Sequence, residues 1–150
     1  MDNKLLKRHI YKKCMEMHLE KIRHLESAMQ EAENTANEYE HTGDDSDSHK
    51  MELIGNRDMY AKQLQGEMDM LETITKIDLN TDRTVVEFGS VVITDMQKVF
   101  ISIGLGKISI DNDIYYAISL QVPFYSAMKG LKKGDTFDFR GRNVKILDIF

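Results

Sequence analysis

Three aspartates crowd one short segment, Gly43-Asp44-Asp45-Ser46-Asp47. Carboxylates this close can ligate a hard cation such as Mg²⁺, which takes oxygen donors and keeps several of its waters. They equally suit a solvated turn that caps a following helix, whose first turn favours negative charge. A calcium loop is excluded: counted from Asp45, position six is Lys50 instead of glycine, and position twelve is Asn56 instead of glutamate. His41 and His49 flank the acids and read as surface histidines, not ligands for a transition metal. His18 falls on an apolar stripe and reads as a packed, hydrogen-bonded residue. Cys14 is the only cysteine, so an internal disulfide and a cysteine-based zinc site are both excluded. It reads as a small apolar residue on a helix.

Charge is distributed unevenly around these groups. Lys4, Lys7, Arg8, Lys12, Lys13, Lys21 and Arg23 make the beginning basic. From His24 to Asp47 there is no lysine or arginine, while Glu26, Glu31, Glu33, Glu38, Glu40 and the three aspartates accumulate. A rod with one basic and one acidic end is implied. The formal net charge of −5 argues against simple wrapping of duplex DNA, which needs a basic face. No run approaches the roughly 18–20 apolar residues of a membrane span. Residues 1–14 are charged throughout, unlike a secretory signal, so a cytoplasmic protein without membrane contact is expected.

The acids need elements to hold them, and the hydrophobic period supplies these. Tyr11, Met15, His18, Ile22, Leu25, Met29, Ala32, Ala36 and Tyr39 step by four and three, the seam of a coiled coil. A second seam follows at Leu53, Arg57, Tyr60, Leu64, Glu67, Leu71 and Ile74, with polar Arg57 and Glu67 within it. Breaker residues between the stripes make the two helices antiparallel neighbours. Residues 1–77 are therefore expected to form an antiparallel coiled-coil hairpin with its acidic tip at 41–48, and a monomer is favoured because the partner helix is internal. Residues 78–83 read as a linker. Residues 84–150 change to short β-branched and aromatic runs at 84–88, 90–94, 99–103, 115–119, 136–139 and 144–149. Turns are expected at 132–135 and 140–143, and a short helix over 124–129 opened by Pro123 and ended by Gly130. The expected class is α+β: the helical hairpin, then a small antiparallel β-rich domain.

The second half resembles the C-terminal domain of the Gre transcript cleavage factors. Val86-Glu87-Phe88-Gly89-Ser90-Val91-Val92 is similar to that family's opening strand. Ala117-Ile118-Ser119-Leu120-Gln121-Val122-Pro123 is similar to its Ile-Ser…Pro segment. The stretch from Ser126 to Asp135 is similar to its Ala-Leu-x-Gly-x-x-x-Gly-Asp turn, and Val144-Lys145-Ile146-Leu147-Asp148-Ile149 to its closing strand. Gly43-Asp44-Asp45-Ser46-Asp47 resembles the family's Gly-Asp-x-x-Glu tip, with Asp47 in place of the glutamate. Gly104–Asp111 departs from the family's acidic Gly-x-x-Glu-Ala-Asp stretch.

The resemblance implies an FKBP-like domain without prolyl isomerase activity. It implies a transcription elongation factor that binds RNA polymerase, inserts the hairpin into the secondary channel and stimulates cleavage of backtracked RNA. The factor is then no enzyme itself: Asp44, Asp47 and Asp45 serve the hydrolytic activity of the polymerase. Asp44 and Asp47 are the expected metal ligands, for Mg²⁺ shared with the polymerase active site and not bound stably by this chain alone. Pro123, Gly130, Lys132 and Lys133 are expected to bind the polymerase, and Arg8, Lys12 and Lys13 to contact the 3′ end of the nascent RNA. Two alternatives stay open: a channel-binding regulator that does not stimulate cleavage, and a coiled-coil adaptor for another protein.

Overall fold

Each apolar stripe folds as one long helix. The computed structural model describes residues 2–41 and 47–150, the side chains of residues 36, 38–41, 47–50 and 53 excepted. Helix α1 spans Asn3–His41 and helix α2 spans Asp47–Thr75. Asp2 caps α1: its Oδ1 accepts the backbone N–H groups of Lys4 at 2.7 Å and Leu5 at 3.2 Å. Such a cap is worth about 1 kcal/mol. No proline or glycine interrupts α1. The last turn of α2 tightens, with the N–H of Ile77 bonded to the Ile74 carbonyl at 3.2 Å.

The chain divides into two compact units, Met1–Met17 with Glu72–Phe150, and His18–Leu71. In the second, His18 lies against Glu67, so α1 and α2 pair antiparallel there. Ile22 is buried and Leu25, Met29 and Ala32 are half-buried on α1, as are Arg57, Tyr60, Leu64, Glu67 and Leu71 on α2. These are the positions that the four-three spacing marks out.

In the first unit the buried face of α1 differs from the expected seam. Ile10 and Cys14 are fully buried, while Tyr11 and Met15 are half-exposed. Here the helix is rotated by about one residue because it covers a sheet. That sheet contains β1 (Val91–Thr94), β2 (Lys98–Ile101), β3 (Gly106–Ile110), β4 (Asp113–Ile118), β5 (Thr136–Phe139) and β6 (Arg142–Ile149). Their order is β3-β4-β2-β1-β6-β5. The register aligns Val92, Val99 and Tyr116 in one row and Val91, Phe100 and Ala117 in the next. Successive side chains point to opposite faces, so these rows belong to different cores. The first faces helix α3 (Pro123–Met128) and joins Phe124, Met128, Phe137, Val144 and Ile146. The second row is buried with Ile108; Ile10, Cys14 and Ile74, equally buried, supply its helical cover.

The α+β class is as expected, with three differences. The sheet is not wholly antiparallel: β2 and β4 are parallel, because the β3–β4 hairpin folds back and inserts β4 between β3 and β2. Residues 84–88 form no strand, only an isolated bridge from Val85 to Lys132. The Ser90 hydroxyl donates to the Glu87 carbonyl at 2.6 Å and accepts the Glu87 N–H at 3.2 Å, closing a turn that competes with any ladder. Gly104–Asp111, which carried no strand expectation, contains β3. The expected turn at 140–143 is a two-residue hairpin link, with φ of 51° at Arg140 and 79° at Gly141. Positive φ at both central residues matches the right-handed twist of the flanking strands.

Candidate functional site

The acidic segment joins the two long helices. Asp44 and Asp45 lie outside the described residues, as does the side chain of Asp47, whose backbone begins α2. Asp47 therefore occupies the end of the helix where free N–H groups favour a carboxylate. His41 ends α1. Among the described residues no group of three His, Cys, Asp or Glu is arranged to hold a metal ion.

The three basic residues expected to contact nucleic acid separate. The Arg8 guanidinium donates through Nη2 to the Asn80 side-chain oxygen at 2.7 Å, tying the first turns of α1 to the segment after α2. Lys12 and Lys13 are exposed and line a shallow cleft with His9, Glu16, Ser109, Ile110 and Asp111. Two acids thus share the cleft with the two lysines.

The four residues expected to bind polymerase fall around α3. Pro123 opens that helix, where its missing N–H has no cost, and is exposed. It lines a cleft of about 550 Å³ with Met96, Ile118, Val122, Phe124, Phe139, Arg140 and Arg142 among others. Phe124 and Phe139 meet edge to face at 5.0 Å, and the Arg140 guanidinium lies 5.1 Å from the Phe139 ring centre. The result is an apolar trough with a cationic rim, suited to an apolar segment flanked by acids. Gly130 follows the other end of α3 and donates its N–H to Val86 at 2.9 Å. Lys132 and Lys133 are exposed beyond it and do not line the cleft; Lys133 Nζ lies 3.9 Å from Asp148. Arg140 and Arg142 are the residues of this trough that the expected site omitted. Their place in a tight turn was legible, but their proximity to Pro123 depends on sheet order.

A buried ionic cluster was also missed. Lys7 is only 3% exposed, and its Nζ has no hydrogen-bond partner. Burial, reinforced by the neighbouring Arg83, pushes its pKa down to about 8, against the opposing pull of Asp78, Asp82 and Glu87. Arg83 Nη1 donates to Glu87 at 3.0 Å, while its Nε is unpartnered. Its guanidinium lies over Gly89, where a Cβ would come within 3.0 Å of Nη2. Gly89 has φ of 90°, so both the conformation and the space favour glycine. One sequence signal existed: Lys7 lies three residues before Ile10 and seven before Cys14, on their helical face.

His18 is fully buried in the helical unit. Its Nε2 donates to the Glu67 backbone carbonyl at 2.6 Å, and its Nδ1 lies 3.4 Å from the Glu67 carboxylate. The other oxygen of that carboxylate is 3.0 Å from Lys21 Nζ. Cys14, one turn earlier on α1, has its thiol pushed up to about 12 by burial and is inert as a nucleophile.

No protein-family model and no curated protein matches this sequence. Among solved structures, the chain is similar to the crystal structure of Thermus aquaticus Gfh1 at 17% identity, covering 92% of this chain and 94% of that one, with a TM-score of 0.37. It is also similar to the crystal structure of GreA factor homolog 1 (Gfh1) of Thermus thermophilus, at 20% identity, 90% and 93% coverage and a TM-score of 0.33. A third similar structure is that of the transcription factor Gfh1, at 19% identity, 89% and 91% coverage and a TM-score of 0.33.

Proposed function

We propose that this chain is a transcription elongation factor that binds RNA polymerase, passes its helical hairpin into the secondary channel and stimulates cleavage of backtracked RNA. One observation carries the reading: two helices of 39 and 29 residues are joined by a segment holding Asp44 and Asp45 and ending at Asp47. At ~1.5 Å per residue, α1 alone is about 58 Å long. Two paired helices whose joining sequence carries carboxylates suit delivery of oxygen ligands through a narrow channel. The trough beside Pro123, with Arg140 and Arg142 at its rim, supports a docking role for the β domain.

The donor set fits Mg²⁺: it is all carboxylate, the nearest imidazoles flank it, and no thiol is near in sequence. Asp44 and Asp47 would hold the ion together with the polymerase's own ligands. When bound, a second ion stabilises the attacking and leaving oxygens of phosphodiester hydrolysis. Asp45 raises the local negative charge. Asp47 is shorter by one methylene than the glutamate of the Gre pattern, and its reach depends on its position at the start of α2. Placement matters because a misplacement of about 1 Å can cost on the order of 10²-fold in rate.

The test is a stalled, backtracked elongation complex incubated with the protein and Mg²⁺. Shortened RNA is expected, and Asp44→Ala should abolish it while leaving polymerase binding intact. Binding without shortening would replace this reading with channel occlusion. Absence of any polymerase association would leave a coiled-coil adaptor.

A further inference from the structure

We propose that the open edge of β3 is a docking site for an extended, acidic segment of a partner protein, which joins the sheet as an added strand. This surface shares no residue with the trough beside Pro123 and does not depend on the channel reading.

β3 ends the sheet, with β4 on one side and no described strand on the other. The two-residue turn at Asp111 and Asn112 decides which of its backbone groups are free. Ile110 and Asp113 close that turn as a pair that exchanges both hydrogen bonds, and by alternation Ile108 with Tyr115 and Gly106 with Ala117 do the same. Lys107 and Ser109 lie between these pairs, so their N–H and C=O groups point away from β4. Among the described residues none bonds to those groups, and both residues are exposed. A strand laid alongside meets two donors and two acceptors at β spacing, the requirement for strand addition.

Charge selects the partner. Ser109 and Ile110 line one cleft with His9, Lys12, Lys13 and Glu16 of α1, so two ammonium groups and an imidazole stand beside the edge. Lys107 adds another ammonium from the strand itself, and Glu16 and Asp111 oppose them. The edge is thus locally positive in a chain of net charge −5. A second copy of β3 would bring the same cations face to face, which is how edge lysines prevent self-pairing. An acidic strand meets no such barrier. Side chains alternate across the sheet, so Ile108 and Ile110 face α1 while Ser109 shares the other face with Ile114, which is 43% exposed. A segment alternating acids with β-branched residues matches both sides: acids toward the α1 lysines, apolar groups toward Ile114. Nucleic acid fits less well, because Glu16 and Asp111 repel phosphate and the open amides and carbonyls want a peptide ladder.

The test titrates the full chain with a synthetic peptide, acetyl-Glu-Val-Glu-Val-Glu-Val-Glu-amide, and follows backbone amide chemical shifts by NMR. Saturable shifts are expected at Lys107 and Ser109, with slowed hydrogen exchange of both amides. The same peptide with lysine for glutamate should not bind. Ser109→Pro removes one outward N–H and no β3–β4 bond, so it should leave the β4 amide shifts in place and weaken the peptide about tenfold. Lys12→Glu combined with Lys13→Glu, both at exposed positions, should weaken it by about tenfold at low salt and less at high salt. A peptide N-methylated throughout keeps the charge but cannot donate to the ladder; its expected loss of binding tests pairing without any change in the protein. The proposal is overturned by the absence of saturable shifts, by shifts that map elsewhere, or by undiminished binding of the N-methylated peptide or of the peptide to Ser109→Pro. Tighter binding of a single-stranded RNA at the same amides also overturns it and makes the edge a nucleic-acid surface.

Discussion

The two units bury their residues very differently. The unit of Met1–Met17 with Glu72–Phe150 holds fully buried apolar residues on both faces of a sheet, including Phe100, Ile101, Ile108, Met128 and Ile146. In the His18–Leu71 unit, among the described residues, only His18 and Ile22 are buried, and the rest of the seam is half-exposed. Stability scales with apolar surface removed from water, so the β-containing unit is the stable anchor and the helix pair the weaker element. The weaker unit instead carries polar contacts within its seam, with the Glu67 carboxylate 3.0 Å from Lys21 Nζ and 3.4 Å from His18 Nδ1. Both units tolerate misfits: Lys7 Nζ in the stronger one, and His18 Nδ1 and Glu67 Oε2 in the weaker one, are buried without a hydrogen-bond partner.

The largest expected effect tests the anchor. Phe100→Ala should cost about 3–5 kcal/mol by leaving a cavity between sheet and helix. Leu64→Ala, in the half-buried seam, should cost only about 1 kcal/mol. Segment-resolved hydrogen exchange under increasing urea would measure both, and a reversed order would break the contrast between the units.

The next effect concerns Lys7. Its folded pKa of about 8 lies below the ordinary 10.5, so burial of the charged form destabilises the fold at neutral pH. Lys7→Met should therefore raise stability at pH 7 by about 1–3 kcal/mol. As pH rises through 8 the folded wild type sheds the proton while the unfolded chain keeps it up to about 10.5. The wild type should gain relative to the variant across that window. Urea unfolding of both proteins at pH 7 and pH 9.5 reads the difference; a gap that fails to narrow means the ammonium is satisfied by Asp78, Asp82 or Glu87.

The smallest effect sharpens the account of α2. Gly55 and Gly66 lie in its interior, and a Cβ at either would meet nothing within 4 Å. Each Gly→Ala change should stabilise the helix pair by about 0.5–1 kcal/mol through reduced freedom of the unfolded chain. Thermal denaturation followed at 222 nm is the check. A loss of stability at either position would mean that the backbone there must approach another surface.

Local pattern carried much of this protein. The four-three spacing marked the seam from His18 to Ala32 and from Arg57 to Ile74, because the helical repeat returns every third or fourth residue to one face. Pro123 and Gly130 bounded α3, and Arg140-Gly141 set a hairpin turn, since each acts through its own backbone. Residues 84–88 misled, because β-branched composition there yields to a serine that closes a turn.

Other features exist only once distant segments meet. The parallel β2–β4 pair depends on where a hairpin is inserted, and no residue in either strand encodes it. The rotation of α1 onto Ile10 and Cys14 follows from a sheet assembled more than seventy residues later. Lys7 beside Arg83, and His18 on the Glu67 carbonyl, are likewise invisible in either segment alone. Burial and polar partnership are properties of pairs, and a linear chain specifies its pairs only by folding.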